Sequence, residues 1–238
     1  ANGNWQPFYL YEAYIAQVRT CDASWDTQLT LYGTNTSSSS YRLAYNDDCS
    51  IGNCAYRNSI IAYRCEGDGG VTGHLQLNKY SCNSDMGSYA NVYYRDIPKY
   101  MKINGGNITI CAGTGVTLST NHTAYNDEYY DIQWGTTPGG TDVSSDANEI
   151  TVYPQTTTTY YARGRVSACG TPGDQYTDIA STTITVSPTP NVSVSGGGAI
   201  CSGNSATITA NAPILPNPLE IGSATTNIAY LPLYGFYN

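Results

Sequence analysis

Asn104-Gly-Gly-Asn-Ile-Thr-Ile-Cys-Ala-Gly-Thr-Gly-Val-Thr-Leu118 recurs later in the chain as Ser195-Gly-Gly-Gly-Ala-Ile-Cys-Ser-Gly-Asn-Ser-Ala-Thr-Ile208. When Cys111 is set on Cys201, the glycine two residues later and the Val-Thr-Leu and Ala-Thr-Ile triplets also align, at a spacing of 90 residues. A period of this size is typical of β-sandwich domains in tandem. We therefore expect an array of domains in which the last copy is only partly present.

Composition favours short strands joined by turns. Charged residues make up 12% of the 238 residues, whereas Gly, Ser, Thr, Asn and Tyr are abundant. The chain has 23 tyrosines against two phenylalanines, which is typical of exposed sheet faces and wet interfaces. No stretch shows a helical apolar period with capping residues. An all-β fold is therefore predicted.

Charge and cysteine content restrict the partners and the compartment. The net charge of −8 leaves no basic stripe for nucleic acid and disfavours anionic membranes, and no run of eighteen or more apolar residues could span a bilayer. The eight cysteines lack the spacings of metal sites, so they indicate disulfides and an oxidising compartment. The protein is predicted to be secreted, extracellular or at the cell surface.

Residues 1–98 resemble a known secreted module. The stretches that carry the resemblance are Thr20-Cys-Asp-Ala-Ser-Trp-Asp-Thr-Gln-Leu-Thr-Leu-Tyr32, Ala44-Tyr-Asn-Asp-Asp-Cys49, Asn58-Ser-Ile-Ile-Ala-Tyr63 and Gly87-Ser-Tyr-Ala-Asn-Val-Tyr93. They are similar to the pre-peptidase C-terminal type of β-sandwich, which follows bacterial secreted peptidases and occurs in many surface proteins. The similarity covers roughly residues 8–95 and implies a jelly-roll-like sandwich. The five cysteines of this segment depart from the pattern.

Residues 99–187 contain a second set of landmarks, namely Ile110-Cys-Ala-Gly-Thr-Gly-Val-Thr-Leu118, Ile132-Gln-Trp134, Glu149-Ile-Thr-Val152, Ala168-Cys-Gly170 and Ser181-Thr-Thr-Ile-Thr-Val186. In this order they are similar to the immunoglobulin-like, or polycystic-kidney-disease-like, repeats of large secreted proteins of the Bacteroidetes type. Residues 188–238 match only the opening of the same repeat. The predicted architecture is a jelly-roll-like sandwich (1–98), an immunoglobulin-like domain (99–187) and a partial immunoglobulin-like domain or strand-exchange segment (188–238). Prolines at the two joints, Asp96-Ile-Pro-Lys99 and Ser187-Pro-Thr-Pro-Asn191, predict semi-rigid spacing.

Cysteine pairing is predicted in part. Cys111 precedes one strand and Cys169 follows another, with Trp134 between them, so we expect a disulfide packed on a buried indole, worth about 4 kcal/mol. The five cysteines of residues 1–98 allow fifteen pairings with one left over. The pairs favoured there are Cys49 with Cys54 and Cys65 with Cys82.

Modification and metal sites are suggested by short motifs only. Candidate N-glycosylation sites are Asn35, Asn107, Asn121 and Asn191, although Asn-x-Ser/Thr arises often by chance in such a chain. The acidic residues Asp26, Asp47, Asp48 and Asp68 carry oxygens that suit calcium, but Asn-Asp-Asp is foremost a turn sequence. We expect no cofactor, with calcium as the alternative.

Catalytic motifs are missing from the sequence. His74 and His122 are the only candidates for a general base, and no Gly-x-Ser-x-Gly elbow accompanies them. We expect no enzymatic activity. The function that fits is a non-catalytic structural protein, a subunit of an extracellular fibre or cell-surface adhesin that assembles by head-to-tail contacts with copies of itself. The alternative is an accessory region of a larger secreted enzyme that binds carbohydrate or protein, and glycans are further candidate partners for its exposed aromatic rings.

The end of the chain suggests how copies could join. A partial sandwich leaves apolar faces and open edges, so strand donation to a neighbouring copy is expected. One candidate donor is the N-terminal strand around Phe8–Val18. The other is the C-terminal stretch with Ile228, Tyr230, Leu231, Leu233, Tyr234 and Phe236. Alternatively, the chain continues beyond Asn238 and supplies the missing strands itself.

Overall fold

The protein is all-β, as predicted. The computed structural model describes residues 5–21, 23, 26–33, 39–51, 58–66, 71–79, 91–123, 129–188 and 192–211. Within these ranges one short 3-10 turn, Ser39–Tyr41, is the sole helical element. The chain divides into two compact units, residues 1–188 and 189–238.

Seventeen strands are present in the described ranges. The first unit contains β1 (Trp5–Leu10), β2 (Tyr14–Arg19), β3 (Thr27–Tyr32), β4 (Arg42–Asn46), β5 (Ile60–Arg64), β6 (Val71–Lys79), β7 (Tyr93–Pro98), β8 (Ile103–Asn104), β9 (Ile108–Cys111), β10 (Val116–Thr120), β11 (Tyr130–Gly135), β12 (Glu149–Val152), β13 (Thr158–Val166), β14 (Gln175–Tyr176) and β15 (Ala180–Ser187). The second unit contains β16 (Ser193–Gly196) and β17 (Ile208–Asn211).

Two antiparallel sheets form the first sandwich, with strand orders β1-β6-β3-β4 and β5-β2-β7. Leu29 and Leu31 of β3 point into its core, since successive side chains of a strand alternate between faces. The single strand expected over Phe8–Val18 is in fact two strands in different sheets. The chain turns between them, and the amide of Tyr14 donates to the carbonyl of Tyr11 at 3.1 Å.

A second sandwich follows, with sheets β12-β10-β8 and β11-β13-β15-β9, and with β14 beside β13. All of its strand pairs are antiparallel except β9 with β15. Its core is built on Leu118, Ile132 and Trp134, all fully buried. The indole Nε1 donates to the carbonyl of Ala147 at 2.7 Å, so the polar atom of this large ring is satisfied. The expected burial of Trp134 is confirmed.

The sheet β5-β2-β7 is buried on both faces. Val18 and Ile61 pack into the first core. Ile15, Ile60 and Ile97 point the other way and belong to the same apolar cluster as the core of the second sandwich. The sheet β5-β2-β7 therefore contributes side chains to both cores, and the two sandwiches form one unit.

This shared core changes the interpretation of the segment Asp96-Ile-Pro-Lys99. It was expected to be a linker, but Asp96 and Ile97 pair with Ala16 and Ile15 inside the sheet, and Ile97 is fully buried. The domain limits 1–98, 99–187 and 188–238 stay predictions. What the structure adds is that residues 1–188 form a single compact unit.

Polar groups also join the two sandwiches. The buried amide of Gln17 on β2 donates to the carbonyls of Ser167 at 2.7 Å and Tyr129 at 3.3 Å, and its oxygen accepts from Arg95 Nε at 2.8 Å. A buried amide that satisfies three partners fixes how β2 lies against the end of β13.

The predicted Cys111–Cys169 and Cys49–Cys54 disulfides are wrong, because Cys169 is bonded to Cys49, with a Cα–Cα distance of 5.6 Å. Sheet register gives the reason. Cys111 lies opposite Ser187, at the end of the sheet where β13 begins, whereas Cys169 follows the other end of β13. Nine strand residues separate these ends by roughly 30 Å, too far for a disulfide.

The remaining cysteines differ in state. Cys65 is a buried free thiol, so its predicted bond with Cys82 is wrong, and Cys82 and Cys54 lie outside the described residues. Cys111 and Cys201 are exposed free thiols. Cys21 is disulfide-bonded. A hydrogen bond also ties Cys169 to the first sandwich, because its amide donates to the carbonyl of Ile60 at 3.1 Å. This contact places Cys169 beside the strand that carries Ile60, which belongs to the same sandwich as Cys49.

The second unit repeats the antiparallel pair that opens the second sandwich, β8 with β10, a hairpin whose long connection carries β9 into the other sheet. In β8 and β10, Asn104 lies opposite Ser119, and in β16 and β17, Ser195 lies opposite Thr209. The turn after the aligned cysteine is also the same: the amide of Thr114 donates to Cys111 and the amide of Asn204 donates to Cys201, each at 3.1 Å. The internal repeat seen in the sequence is thus a repeat of backbone geometry.

One glycine in each copy makes this geometry possible. Gly105 and Gly196 have φ values of 87° and 94°, in the left-handed region that favours glycine. A Cβ atom at either position would lie 2.3 Å from a backbone oxygen, that of Thr117 or Thr207. Each copy therefore requires glycine at this point for two independent reasons.

Candidate functional site

The first sandwich is open along one side. β1 is at the edge of one sheet and β7 is at the edge of the other, and among the described strands each has one neighbour, β6 and β2 respectively. Between these edges lies a cleft of about 300 Å³. We call it the β1/β7 cleft.

The lining of the β1/β7 cleft is almost entirely apolar. It consists of the side chains of Phe8, Val18, Leu75, Leu77, Val92 and Tyr94, with Gln6 completing it. The Phe8 and Tyr94 rings meet edge to face, with centroids 4.4 Å apart. Because Phe8 and Tyr94 stand on the two edge strands, this contact holds the edges together beside the cleft.

A tyrosine and an aspartate, Tyr94 and Asp96, form a hydrogen-bonded pair next to the cleft. Burial, together with a hydrogen bond to Asp96 and its charge, raises the pKa of the Tyr94 hydroxyl well above its usual value. Burial also raises the pKa of the Asp96 carboxyl, which the bond from Tyr94 partly offsets. The hydroxyl of Tyr94 thus remains a proton donor at neutral pH and orients its ring at the mouth of the cleft.

A row of tyrosine rings lies outside the cleft, where the chain passes from β1 to β2. The ring of Tyr11 lies 4.7 Å from that of Tyr9 and 6.0 Å from that of Tyr14, both edge to face. Tyr9 and Tyr11 are about half exposed. Such rings offer apolar area with a hydroxyl at the tip, which suits contact with another protein or with a sugar ring.

The two candidate histidines lie in different surroundings. His122 donates from Nε2 to the carbonyl of Tyr100 at 2.8 Å, which leaves Nδ1 to accept from the Tyr130 hydroxyl at 2.6 Å. Both nitrogens therefore serve a structural contact. His74 lies in β6 between Pro7 and Tyr32. The expectation of no enzymatic activity stays a prediction.

The acidic residues come together only in part. Burial, followed by the charges of Asp48 and Asp26, raises the pKa of the Asp47 carboxyl, while a hydrogen bond from Gln28 lowers it. Within the described ranges, no group of three or more His, Cys, Asp or Glu residues is arranged to hold a metal ion. Asp68 lies outside those ranges. The calcium alternative stays a prediction.

Two candidate glycosylation sites can be located. Asn107 and Asn121 are exposed, Asn107 in a left-handed turn with φ of 58°. The side chain of Asn121 is engaged, because its oxygen accepts from the amide of Lys102 at 2.6 Å. Asn35, Asn191 and the predicted donor residues Ile228, Tyr230, Leu231, Leu233, Tyr234 and Phe236 lie outside the described residues. Their roles stay predictions.

No protein-family model matches the chain, and no curated protein sequence matches it. The resemblances to the pre-peptidase C-terminal module and to immunoglobulin-like repeats therefore rest on the quoted motifs and stay predictions. Among the described residues, no helix is long and apolar enough to cross a membrane.

Sequence reasoning did not find the β1/β7 cleft. Its lining comes from four strands and from Val92, positions that sequence periodicity does not connect. One signal was present: Phe8 and Leu10 face inward on a strand whose outward residues are Pro7 and Tyr9, the pattern of an edge strand.

Proposed function

We propose that the chain is a non-catalytic, secreted structural protein, a subunit of an extracellular fibre or cell-surface adhesin whose copies join head to tail. The all-β fold, the Cys49–Cys169 disulfide and the net charge of −8 support an extracellular setting. The resemblance to bacterial surface modules and immunoglobulin-like repeats supports the same assignment.

The repeated hairpin carries the proposal. In the first unit the apolar side chains of β10 are covered, and Leu118 is fully buried. Its equivalent on β17, Ile208, is 68% exposed, and Val194 on β16 is 66% exposed. A sheet face of this kind is covered in a completed sandwich, so the second unit offers a surface that another domain or another copy would cover.

Sedimentation velocity of the purified chain across a range of concentrations tests the proposal, with electron micrographs of the same samples. Species that grow in mass with concentration, seen as filaments, are expected because a head-to-tail contact need not close. A chain that remains monomeric at every concentration would contradict head-to-tail assembly.

A further inference from the structure

We propose that the β1/β7 cleft is the acceptor for residues 227–236 of a second copy of this chain, which enter it as an added strand on the edge of β7 that has no neighbour among the described strands. This inference rests on the proposed function, since it names the contact through which copies join. It also assigns the donor to the C-terminal stretch instead of the N-terminal strand.

The N-terminal strand is already committed within its own copy. β1 pairs with β6 over six residues, from Trp5 opposite Gln76 to Leu10 opposite Val71. Leu10 is fully buried in the first core. Withdrawal of β1 to serve a neighbour would break these pairs and open the core, so β1 contributes a wall of the acceptor and is not the donor.

Of the two edges beside the cleft, β7 is the better template. β1 carries Pro7, which has no amide hydrogen and so cannot donate along the strand. In β7 the register with β2 leaves the amides of Tyr94 and Asp96 on the side away from β2, and Pro98 closes the strand. An added strand therefore pairs with β7 and directs alternate side chains between the two sheets.

The chemistry of the cleft matches that of the donor stretch. The side chains that line the cleft carry no charge. Residues 221–238 also have no charged side chain, and apolar side chains recur through Ile228, Leu231 and Leu233. A charged strand would lose its hydration in this cleft, whereas this stretch would bury apolar surface at about 25 cal/mol per Å².

The geometry of assembly follows from using two different surfaces. The donor stretch belongs to residues 189–238 and the cleft to residues 1–188. A chain of copies therefore keeps one unused donor at one end and one unused acceptor at the other, which permits continued growth.

Three full-length variants test the inference by sedimentation velocity. Val92→Glu places a charge on the cleft wall at a position that is 40% exposed, so the fold tolerates it. Leu233→Glu places a charge in the donor stretch. Ile179→Glu is the matched control, at an apolar position that is 47% exposed and outside the cleft.

The expected result is that V92E and L233E are each monomeric, while I179E assembles like the unmodified chain. A mixture of V92E and L233E should form dimers and stop there, because the V92E donor fits the L233E cleft and no second productive contact is left. A V92E chain that assembles like the unmodified chain would overturn the inference and leave the fibre proposal intact.

A second measurement decides the case in which the unmodified chain is monomeric and the fibre proposal fails. A fluorescent peptide of residues 226–238 is titrated into the L233E chain and into the V92E/L233E double variant. Binding that weakens by about tenfold or more in the double variant supports the cleft as acceptor. No binding overturns it. Hydrogen exchange in β7 that is faster in the L233E chain than in the unmodified monomer would show that the cleft binds residues 227–236 of the same copy. That result would overturn the contact between copies.

Discussion

The hairpin of β8 and β10 and the hairpin of β16 and β17 share sequence, register and turn geometry, but only the first is covered. Leu118 has no exposed surface, whereas Ile208 is 68% exposed. Local sequence therefore encodes the turn and the pairing in both places. Burial is a separate property, supplied in the first unit by the sheet β11-β13-β15-β9.

The covered hairpin lies in the unit that contains the Cys49–Cys169 disulfide. Removal of this bond should cause the largest loss of stability among the changes considered. Cys49→Ser with Cys169→Ser should lower the free energy of unfolding of residues 1–188 by about 4–5 kcal/mol, because the bond closes a very long loop. Denaturant unfolding followed by tryptophan fluorescence measures it. The control, Cys111→Ser with Cys201→Ser at the two aligned free thiols, should change it by under about 0.5 kcal/mol. Equal losses would refute the assignment of the bond.

Truncation of the two aligned apolar residues tests the contrast in burial directly. Leu118→Ala should cost about 3 kcal/mol, since it leaves a cavity in a packed core. Ile208→Ala should cost under about 0.5 kcal/mol in the monomer, because most of its side chain is already in water. Unfolding followed by fluorescence reports the first, and amide hydrogen exchange in β17 reports the second. A large loss at Ile208 would show that its face is covered.

Substitution of the two structurally equivalent glycines tests what the hairpins share. Gly105→Ala and Gly196→Ala should each cost about 1–3 kcal/mol, because both residues need a positive φ and lack room for a Cβ atom. Hydrogen exchange of the amides in β10 and β17 should therefore rise in both. Gly33→Ala is the control, since its Cβ would make only ordinary contact at 3.7 Å with Leu43. Unequal losses at Gly105 and Gly196 would break the equivalence.

The smallest expected effect concerns pH, to which the two regions should respond differently. Residues 192–211 contain no Asp, Glu, His, Lys or Arg, so their exchange should not follow carboxyl titration. In the first unit, folding raises the pKa of the Asp47 carboxyl above its ordinary value of 3.8. The folded state therefore loses stability as pH rises from 3.8 through the raised pKa, because the unfolded chain gives up this proton first. Asp47→Asn should therefore stabilise the unit at pH 7, by under about 1 kcal/mol, and lose that advantage at pH 3.

Asp142 provides a control of opposite sign for this prediction. Hydrogen bonds from Thr136 lower the pKa of the Asp142 carboxyl, so its contribution to stability is present at pH 7 and is lost as pH falls. Asp142→Asn should weaken the folded state at pH 7 and not at low pH. Urea unfolding at pH 3 and pH 7 measures both variants. Shifts of the same sign would contradict the assigned causes.

Much of the fold follows from patterns that depend on neighbouring residues. The repeat, the all-β class and the burial of Trp134 were predictable because turn residues and strand alternation are properties of short stretches of sequence. The disulfide was not, because the pairing of Cys49 with Cys169 depends on how the two sandwiches pack together. A signal for that packing did exist: the adjacent apolar residues Ile60 and Ile61 are typical of a strand buried on both faces.

The candidate site was predictable only on the donor side. The apolar stretch 227–236 is continuous in sequence, so its unusual composition could be noticed. The β1/β7 cleft is assembled from Phe8, Leu75 and Tyr94, which lie on three strands far apart in the chain. Which strands end up at an edge is decided by topology, and no local pattern specifies it.

The covalent link between Cys49 and Cys169 also changes how the protein would carry a mechanical load. Tension applied on either side of this link passes through the sulfur atoms, and the intervening chain bears none of it. The link spans a sequence separation of 120 and holds its ends 5.6 Å apart. The same stretch fully drawn out would reach roughly 400 Å. When the molecule is pulled from its ends, these residues cannot extend while the bond remains oxidised, and they become extensible once it is reduced.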